Sequence, residues 1–309
     1  MNRNHLALFH AVAEMGSISG AAARQHISQP AVSKQIRELE GELGVALLDR
    51  LSRGVRLTEA GRLLADYARR WTGLEREAGR AIAELRGLQR GQLSIGASTT
   101  IGNYLLPPVL IEFHRRHPRV DVRLEIANTR AIQHALLEGS WELGFTEGII
   151  ATEDLESEVF HRDELVIVVP PKHRLLALRR VTARDLGKED WIMREEGSGT
   201  RDVVERALRK QRLKVSPAMA LGSAEAIKQA VAAGQGVAMM SRLVVRRELA
   251  AGTLVQLAVP ELAVLRPLHL QQLRGRSDSP IRREFLSILA AMLRPETGAT
   301  TPQKTTPRR

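Results

Sequence analysis

The chain contains no cysteine. That one absence excludes disulfides, thiolate-bound zinc, iron–sulfur clusters and cysteine nucleophiles, and it gives no support to an oxidising compartment. Aromatic side chains are scarce as well, with five Phe, three Trp and two Tyr in 309 residues. Cores must therefore be built from Leu, Val, Ile and Ala. Few rings remain to stack on unpaired bases, which counts against a binder of RNA or of single strands. Long apolar runs are missing too. Leu165–Pro171 is among the longest, far short of the roughly 18 residues that span a bilayer, so no membrane partner is expected. Near the N-terminus, Leu6–Phe9 with Ala11 and Ala13 could pass for the apolar part of an export signal. It is cut by His10, stopped by Glu14 and lacks a basic leading segment. Leu6, Phe9, His10 and Ala13 fall instead at helical spacing, which predicts an amphipathic first helix and a cytoplasmic protein.

At 309 residues the chain exceeds one ordinary domain of roughly 100–200, so two or three are expected. The net charge of +11 is too modest to name a partner by itself. It is spread along the chain and concentrates only at the end, where Pro295–Arg309 is rich in Pro and Thr and reads as a disordered basic tail. The pattern changes near residue 88. Before it everything reads as helical, apart from a short basic stretch at Leu51–Leu57. After it, Gln92–Ala97, Val120–Ala127, Leu143–Thr146, Leu165–Val169, Ala218–Leu221, Val237–Met240 and Leu268–Leu273 read as strands with helical segments between most of them. That alternation predicts an α/β fold with a largely parallel sheet.

The first sixty residues hold three helices. Gly20–His26 is short and Ala-rich, so it can pack closely on a neighbour. Ser28 is a natural N-cap and Pro30 sits in the first turn, where its missing N–H costs nothing. The third helix then runs from Gln29 to about Leu43, with Val32, Ile36, Leu39 and Leu43 on one stripe for burial. Ser33, Lys34 and Arg37 fall on the opposite side, with Gln29 near the start. Gln, Ser and Arg pair with base edges, and Lys and Arg neutralise phosphates. A helix-turn-helix presents such a face to the major groove, although any surface helix can carry these residue types. Arg50, Arg53 and Arg56 then recur every three residues around Gly54, which suits a tight β-wing beside the groove.

Together these residues resemble the DNA-binding domain of the LysR-type transcriptional regulators. The matching segments are Leu6–Val12 with Gly16-Ser17, Ala21–Ala23, Ser28-Gln29-Pro30-Ala31-Val32-Ser33, Ile36–Leu39 and Leu43-Gly44. Leu47–Arg50, Arg53 and Leu57-Thr58-Glu59-Ala60-Gly61 complete the match. The resemblance implies a winged helix-turn-helix over 1–57 that binds double-stranded operator DNA.

From Ala60 onward, Leu64, Tyr67, Trp71, Leu74, Ala78, Ala81 and Leu85 follow in steps of three and four. This is a heptad seam, narrower than the stripe of an ordinary core-facing helix. Gly73 and Gly79 weaken it locally. The family resemblance implies the same role for 58–88, a linker helix that pairs two DNA-binding domains into a dimer or tetramer.

In the second half, hydroxyl or amide side chains stand four times where a helix begins: Ser98 and Thr100, Asn128 and Thr129, Ser198 and Thr200 ahead of Arg201, and Ser223. Free N–H groups and the positive dipole end make each a seat for an anion, and equally Ser, Thr and Asn are the best N-caps. Strand carboxyl ends converge on one crevice in such sheets, which favours shared use. Residues 89–294 resemble the effector-binding domain of the same family, a two-subdomain α/β fold of the periplasmic-binding-protein type. The resemblance implies one subdomain over about 89–162 and 266–294, a second over about 163–265, and a small-molecule effector between them touching Ser98, Thr100, Asn128, Thr129, Ser198, Thr200 and Ser223. The Gly-Ser-Gly-Thr-Arg segment is more like the branch that senses anionic metabolites of sulfur or carbon assimilation. Arg201 is a candidate countercharge, with a helix-surface pair to Glu205 as the alternative. No cofactor is expected beyond the effector, and RNA polymerase is a further partner if the protein activates.

Other motifs carry less. Gly197–Thr200 lacks the Gly-Lys-[Ser/Thr] of a P-loop. His114 and His117 have no third ligand at metal-binding spacing, and no triad signature surrounds any serine. A solute-binding protein on this fold would need an export signal and no helix-turn-helix. An enzyme on it, as in the porphobilinogen deaminases, would need the cysteine that carries their cofactor. The regulator is the reading that survives.

Overall fold

The computed structural model describes residues 2–51, 54–84, 91–148, 153–275 and 279–293. The expected tail at 295–309, Arg53 and Leu85 lie outside them, as do the side chains of Arg50 and Ala81. Three helices open the chain, α1 (Arg3–Met15), α2 (Ile18–Arg24) and α3 (Gln29–Leu43), followed by a hairpin of β1 (Leu48–Arg50) and β2 (Val55–Leu57). Caps explain the breaks. Ser17 and Ser28 each accept a hydrogen bond from a backbone N–H of the helix that follows, and α1 and α3 end on Gly16 and Gly44 in the left-handed conformation. Phe9, Val12, Ala21, Val32 and Leu39 are fully buried in one core. Leu43, expected on the same stripe, is exposed, because the last turn of α3 runs past that core. Among the described residues no single helix is long and apolar enough to cross a membrane. The pair α1 and α2 reaches that length only with a bend of 119°, and both are packed in this core.

Helix α4 (Glu59–Glu84) continues for 26 residues. One side packs on the helical core through Leu64 and the fully buried Ala68. On the other, Tyr67, Trp71 and Leu74 are 59%, 47% and 62% exposed, and Ala78 is exposed too. Most of the heptad seam is thus uncovered in a single chain.

The second half begins with β3 (Gln92–Ala97), α5 (Thr99–Tyr104), α6 (Leu106–Arg116), β4 (Asp121–Ile126), α7 (Thr129–Leu137) and β5 (Leu143–Thr146). The 15-residue strand β6 (Leu155–Val169) carries the chain into a second lobe. That lobe holds α8 (Ala183–Leu186), β7 (Trp191–Arg194), α9 (Gly199–Lys210), β8 (Pro217–Leu221), α10 (Ala224–Ala232), β9 (Ala238–Ser241), α11 (Arg242–Ala251) and β10 (Val255–Leu257). Strand β11 (Val264–Leu273) returns, and α12 (Pro280–Met292) closes the first lobe. The main sheet has the order β10-β6-β11-β5-β3-β4, with β9 also on β6. Strand β3 is parallel to β4 and β5, but β11 is antiparallel to β5 and β6, and β6 to β9 and β10. The expectation of a largely parallel sheet is therefore wrong. The chain crosses between lobes twice, outward in β6 and back in β11, and two crossings side by side run in opposite directions.

Each lobe has its own core, around Leu93, Phe113, Phe145 and Phe285 in the first and Leu165, Ile167, Trp191 and Val204 in the second. Val166 and Val168 face a further cluster with Ile227 and Val245. Alternate residues of β6 are thus buried on opposite faces, which is why this stretch reads as an unbroken apolar run.

Candidate DNA-reading face and ligand cleft

Burial of Val32, Ile36 and Leu39 fixes which side of α3 faces solvent. Gln29, Pro30, Lys34 and Arg37 are exposed there, with Ser33 half-buried among them. The Ser28 hydroxyl is engaged as the cap, accepting from the Ala31 N–H at 3.3 Å. Arg37 donates from Nε to the Ser33 carbonyl at 3.1 Å, and Lys34 lies 3.7 Å from Glu38. Both cations stay at the surface, where such pairs are weak and easily exchanged for phosphate. In the wing, Arg56 pairs with Asp49 across the hairpin at 3.1 Å, and Arg50 stands opposite Val55 in the ladder. The Val55 N–H donates to the Gly16 carbonyl at 2.9 Å, so the wing is tied to the turn between α1 and α2.

In the second half, the strand ends bring most of the expected helix starts to the junction between lobes. Ser98, Thr100 and Thr129 in the first lobe and Ser198 and Thr200 in the second are all buried. The hydroxyls of Ser98 and Thr129 have no hydrogen-bond partner among the described residues, although nearly all buried polar groups have one. Asn128 caps α7, its Oδ1 accepting from the Ala131 N–H at 3.0 Å. The lobes touch here: the Arg130 N–H donates to the Gly197 carbonyl at 3.3 Å, and a Cβ on Gly199 would stand 2.7 Å from Thr129 Oγ1. Only glycine fits that approach. Ser223 stands apart, exposed, as the cap of α10.

The centre of the junction is Arg266, which the residue pattern alone did not single out as a cleft residue. It lies on the returning strand, 1% exposed, with Asp163 as its register partner on β6. Its Nε donates to Asp163 Oδ2 at 2.8 Å, Nη1 to Thr200 Oγ1 at 2.8 Å and Nη2 to Thr100 Oγ1 at 3.4 Å. One buried guanidinium therefore holds a helix start from each lobe. Glu147 adds a second carboxylate at 3.9 Å, and Ser241 donates to the other Asp163 oxygen at 2.8 Å. Arg194 also bridges the lobes, donating to Glu195 in two bonds of 2.7 and 2.9 Å and to Thr99 Oγ1 at 3.3 Å. Arg201 pairs with Glu205 at 2.7 Å, the helix-surface alternative, yet also reaches the Arg194 carbonyl at 3.4 Å. The only signal for Arg266 was a cation set among apolar residues in Val264–Leu268, just ahead of the expected strand.

A pocket opens beside these groups, lined by Thr100, Arg194, Thr200 and Arg201 with Ile192 and Met239 behind them. Its free space is about 20 Å³, room for a water molecule and not for a metabolite. A ligand enters only if the lobes part or the side chains swing. Metal-binding geometry lies elsewhere. Among the described residues His10, Glu14 and Glu138 have ligand atoms within 4.8 Å of one another, but Arg24 at 2.8 Å from Glu14 already supplies a positive partner, and His134 Nδ1 lies 2.9 Å from Glu138. His117 packs on the Phe113 ring, 5.1 Å between centroids.

Comparison with known proteins agrees with this architecture. Residues 3–62 match the model of the bacterial regulatory helix-turn-helix protein, lysR family, and residues 86–294 match the LysR substrate binding domain. The RuBisCO operon transcriptional regulator of Allochromatium vinosum is 36% identical over 291 residues, covering 93% of this chain and 96% of that protein. The regulatory domain of CcmR from Synechocystis PCC6803, solved in complex with 2-PG, is 30% identical with a TM-score of 0.63, covering 67% of this chain and 99% of that one. Full-length CbnR, solved with its target DNA, shares the fold at 24% identity and a TM-score of 0.60, covering 94% and 99%. The chain thus belongs to the LysR family of bacterial transcription regulators, its winged helix-turn-helix DNA-binding domain set ahead of a two-lobed effector-binding domain.

Proposed function

We propose that a small anionic metabolite, held between the lobes, switches this regulator on its operator. The observation that carries the reading is Arg266, whose guanidinium ties Thr100 of one lobe to Thr200 of the other. A ligand that replaces or completes this grip binds one lobe arrangement better than another, and only such a difference can shift a conformational population. Ser98, Thr129 and Ser198 are its further hydrogen-bond partners, and Arg194 and Arg201 its countercharges, with Asn128 and Ser223 fixing the helices on either side. A phosphorylated carboxylate suits a pocket that carries the Arg194 and Arg201 guanidinium groups beside the open start of α9. The CcmR domain solved with 2-PG, or 2-phosphoglycolate, supports that class.

On DNA, Gln29, Ser33 and Arg37 read bases, while Lys34, Arg50, Arg53 and Arg56 meet the backbone. Residues 1–57 form the DNA-binding unit, 58–88 pair the chains, and 89–294 hold the effector. The protein works in the cytoplasm as a dimer or tetramer, needs no cofactor besides its effector, catalyses no reaction, and engages RNA polymerase where it activates.

Thermal shift with 2-phosphoglycolate, inorganic phosphate and sulfate tests the cleft, followed by operator footprinting. One of the three is expected to stabilise the wild type and alter the footprint. Ser98→Ala and Thr200→Val are each expected to abolish both effects, and Ser98→Ala to leave effector-free operator binding intact. Stabilisation that survives both substitutions places the ligand elsewhere, and no stabilisation by any of the three overturns the anion reading.

A further inference from the structure

Helix α7 is only nine residues long, about 13 Å at the usual rise, yet it touches the cleft at one end and the DNA-binding half at the other. At its start, Thr129 and Arg130 carry the contacts to Gly199 and Gly197 of the second lobe. At its end, Leu137–Gly139 lie against Gly73 in the middle of α4. A Cβ on Gly73 would stand 3.4 Å from the Leu137 carbonyl oxygen, and one on Gly139 would stand 2.7 Å from the Gly73 Cα. Gly139 also has φ +65°, a conformation that disfavours any side chain. These two glycines let a helix end and a helix flank approach backbone to backbone.

Further groups fasten the same end. Glu138, the C-cap of α7, comes within 4.8 Å of His10 and Glu14 on α1. Arg70 of α4 bonds Asp154 at 2.9 Å, just before β6. The body of α7 cannot flex freely between its ends. Ile132 and Leu136 are fully buried, and Gln133 donates to Gln271 on β11 at 3.0 Å.

We propose that α7 is a strut that carries the state of the cleft to the position of the DNA-binding domain within one chain, with Gly73, Gly139 and Glu138 as positioning residues. A shift of the second lobe against Thr129 moves a rigid rod, and the far end of that rod is seated on α4 and α1. The inference rests on the cleft reading above only for what normally moves the lobes.

The absence of cysteine makes the test clean. Asn4→Cys and Arg119→Cys, both at exposed positions, allow a dye pair on the DNA-binding domain and the first lobe. The labelled chain is mixed with excess unlabelled chain, so that energy transfer reports distance within one chain. The lobes are disturbed without any metabolite in two ways, by Gly199→Ala as a wedge and by Thr200→Val as a released grip. Each is expected to shift the mean separation in the parent chain. Gly73→Val or Glu138→Ala, which loosen the seat of the strut, should reduce that shift by half or more. A shift of the same size in the parent and in both loosened chains overturns the proposal, as does no shift from either lobe variant. Because no ligand is added, these outcomes are independent of whether 2-phosphoglycolate or another anion binds.

Discussion

Arg266 and Thr200 are joined by a 2.8 Å hydrogen bond, although Thr200 starts a helix of the second lobe and Arg266 lies on the strand that leads back to the first. The guanidinium is neutralised by Asp163 on the neighbouring crossing strand. A buried pair of this kind costs more when broken than it contributes when intact. Arg266→Met should therefore destabilise the effector domain by about 3–5 kcal/mol, because Asp163 is left charged in a dry place. Asp163→Leu combined with Arg266→Met should recover most of that loss. Urea unfolding of the single and double variants checks both statements, and equal loss in the two would show that packing rather than charge dominates.

The reading face makes a separate claim. Arg37→Ala should weaken specific operator binding by about 1–3 kcal/mol per half-site with the fold unchanged. Lys34→Ala should lower affinity for all sequences alike and reduce the slope of log affinity against log salt by about 1. Titrations at several salt concentrations separate the two behaviours. Wild-type affinity and slope in both variants would mean that a different face enters the groove.

The uncovered line on α4 bears on assembly. Trp71 and Leu74 are large apolar groups half-exposed or more on one side of that helix. Leu74→Glu should split the pair formed through it and weaken binding to a two-site operator far more than to a half-site. Sedimentation velocity reads the first effect and gel shift the second. Unchanged sedimentation together with unchanged operator affinity would remove the heptad pairing.

His269 on β11 gives a pH dependence with a definite sign. Burial pushes its imidazole below the ordinary value of 6.5, and its Nδ1 lies 3.3 Å from Ser157 Oγ. Below pH 6.5 the unfolded chain takes up a proton that the folded one refuses, so stability is present above that pH and is lost as pH falls toward the lowered value. His269→Gln should flatten this part of the melting curve. The difference in Tm between wild type and variant, small at pH 8, should move in the variant's favour by pH 5.5. No such movement would show that the ring is accessible to protons in the folded state.

Much of this was legible in residue order, because helices with one apolar side write their period into the chain. Val32, Ile36 and Leu39 betray α3, and the three-and-four spacing from Tyr67 to Ala78 betrays the exposed side of α4. Strand β7 was not legible, since Trp191–Arg194 is buried at every residue and shows no alternation. Nor was strand direction, which depends on where the chain turns back rather than on local composition. Arg266 is the instructive miss. Its partners come from β6, α5 and α9, separated from it by 103, 166 and 66 positions, and no spacing rule links them. Gly73 read as a weak point in a helix, whereas its lack of a side chain is what admits Gly139.

Contact between α7 and the DNA-binding half has a consequence for where information enters the molecule. Coupling between two binding events is reciprocal: whatever factor one ligand imposes on the affinity of the other is returned in full. If cleft closure tilts the DNA-binding domain through Gly73 and Gly139, then the operator, by holding that domain in one pose, pushes back along the same helix. DNA is in that sense an allosteric ligand of the cleft. The regulator bound at its promoter and the same regulator free in solution would then read one metabolite concentration as two different doses.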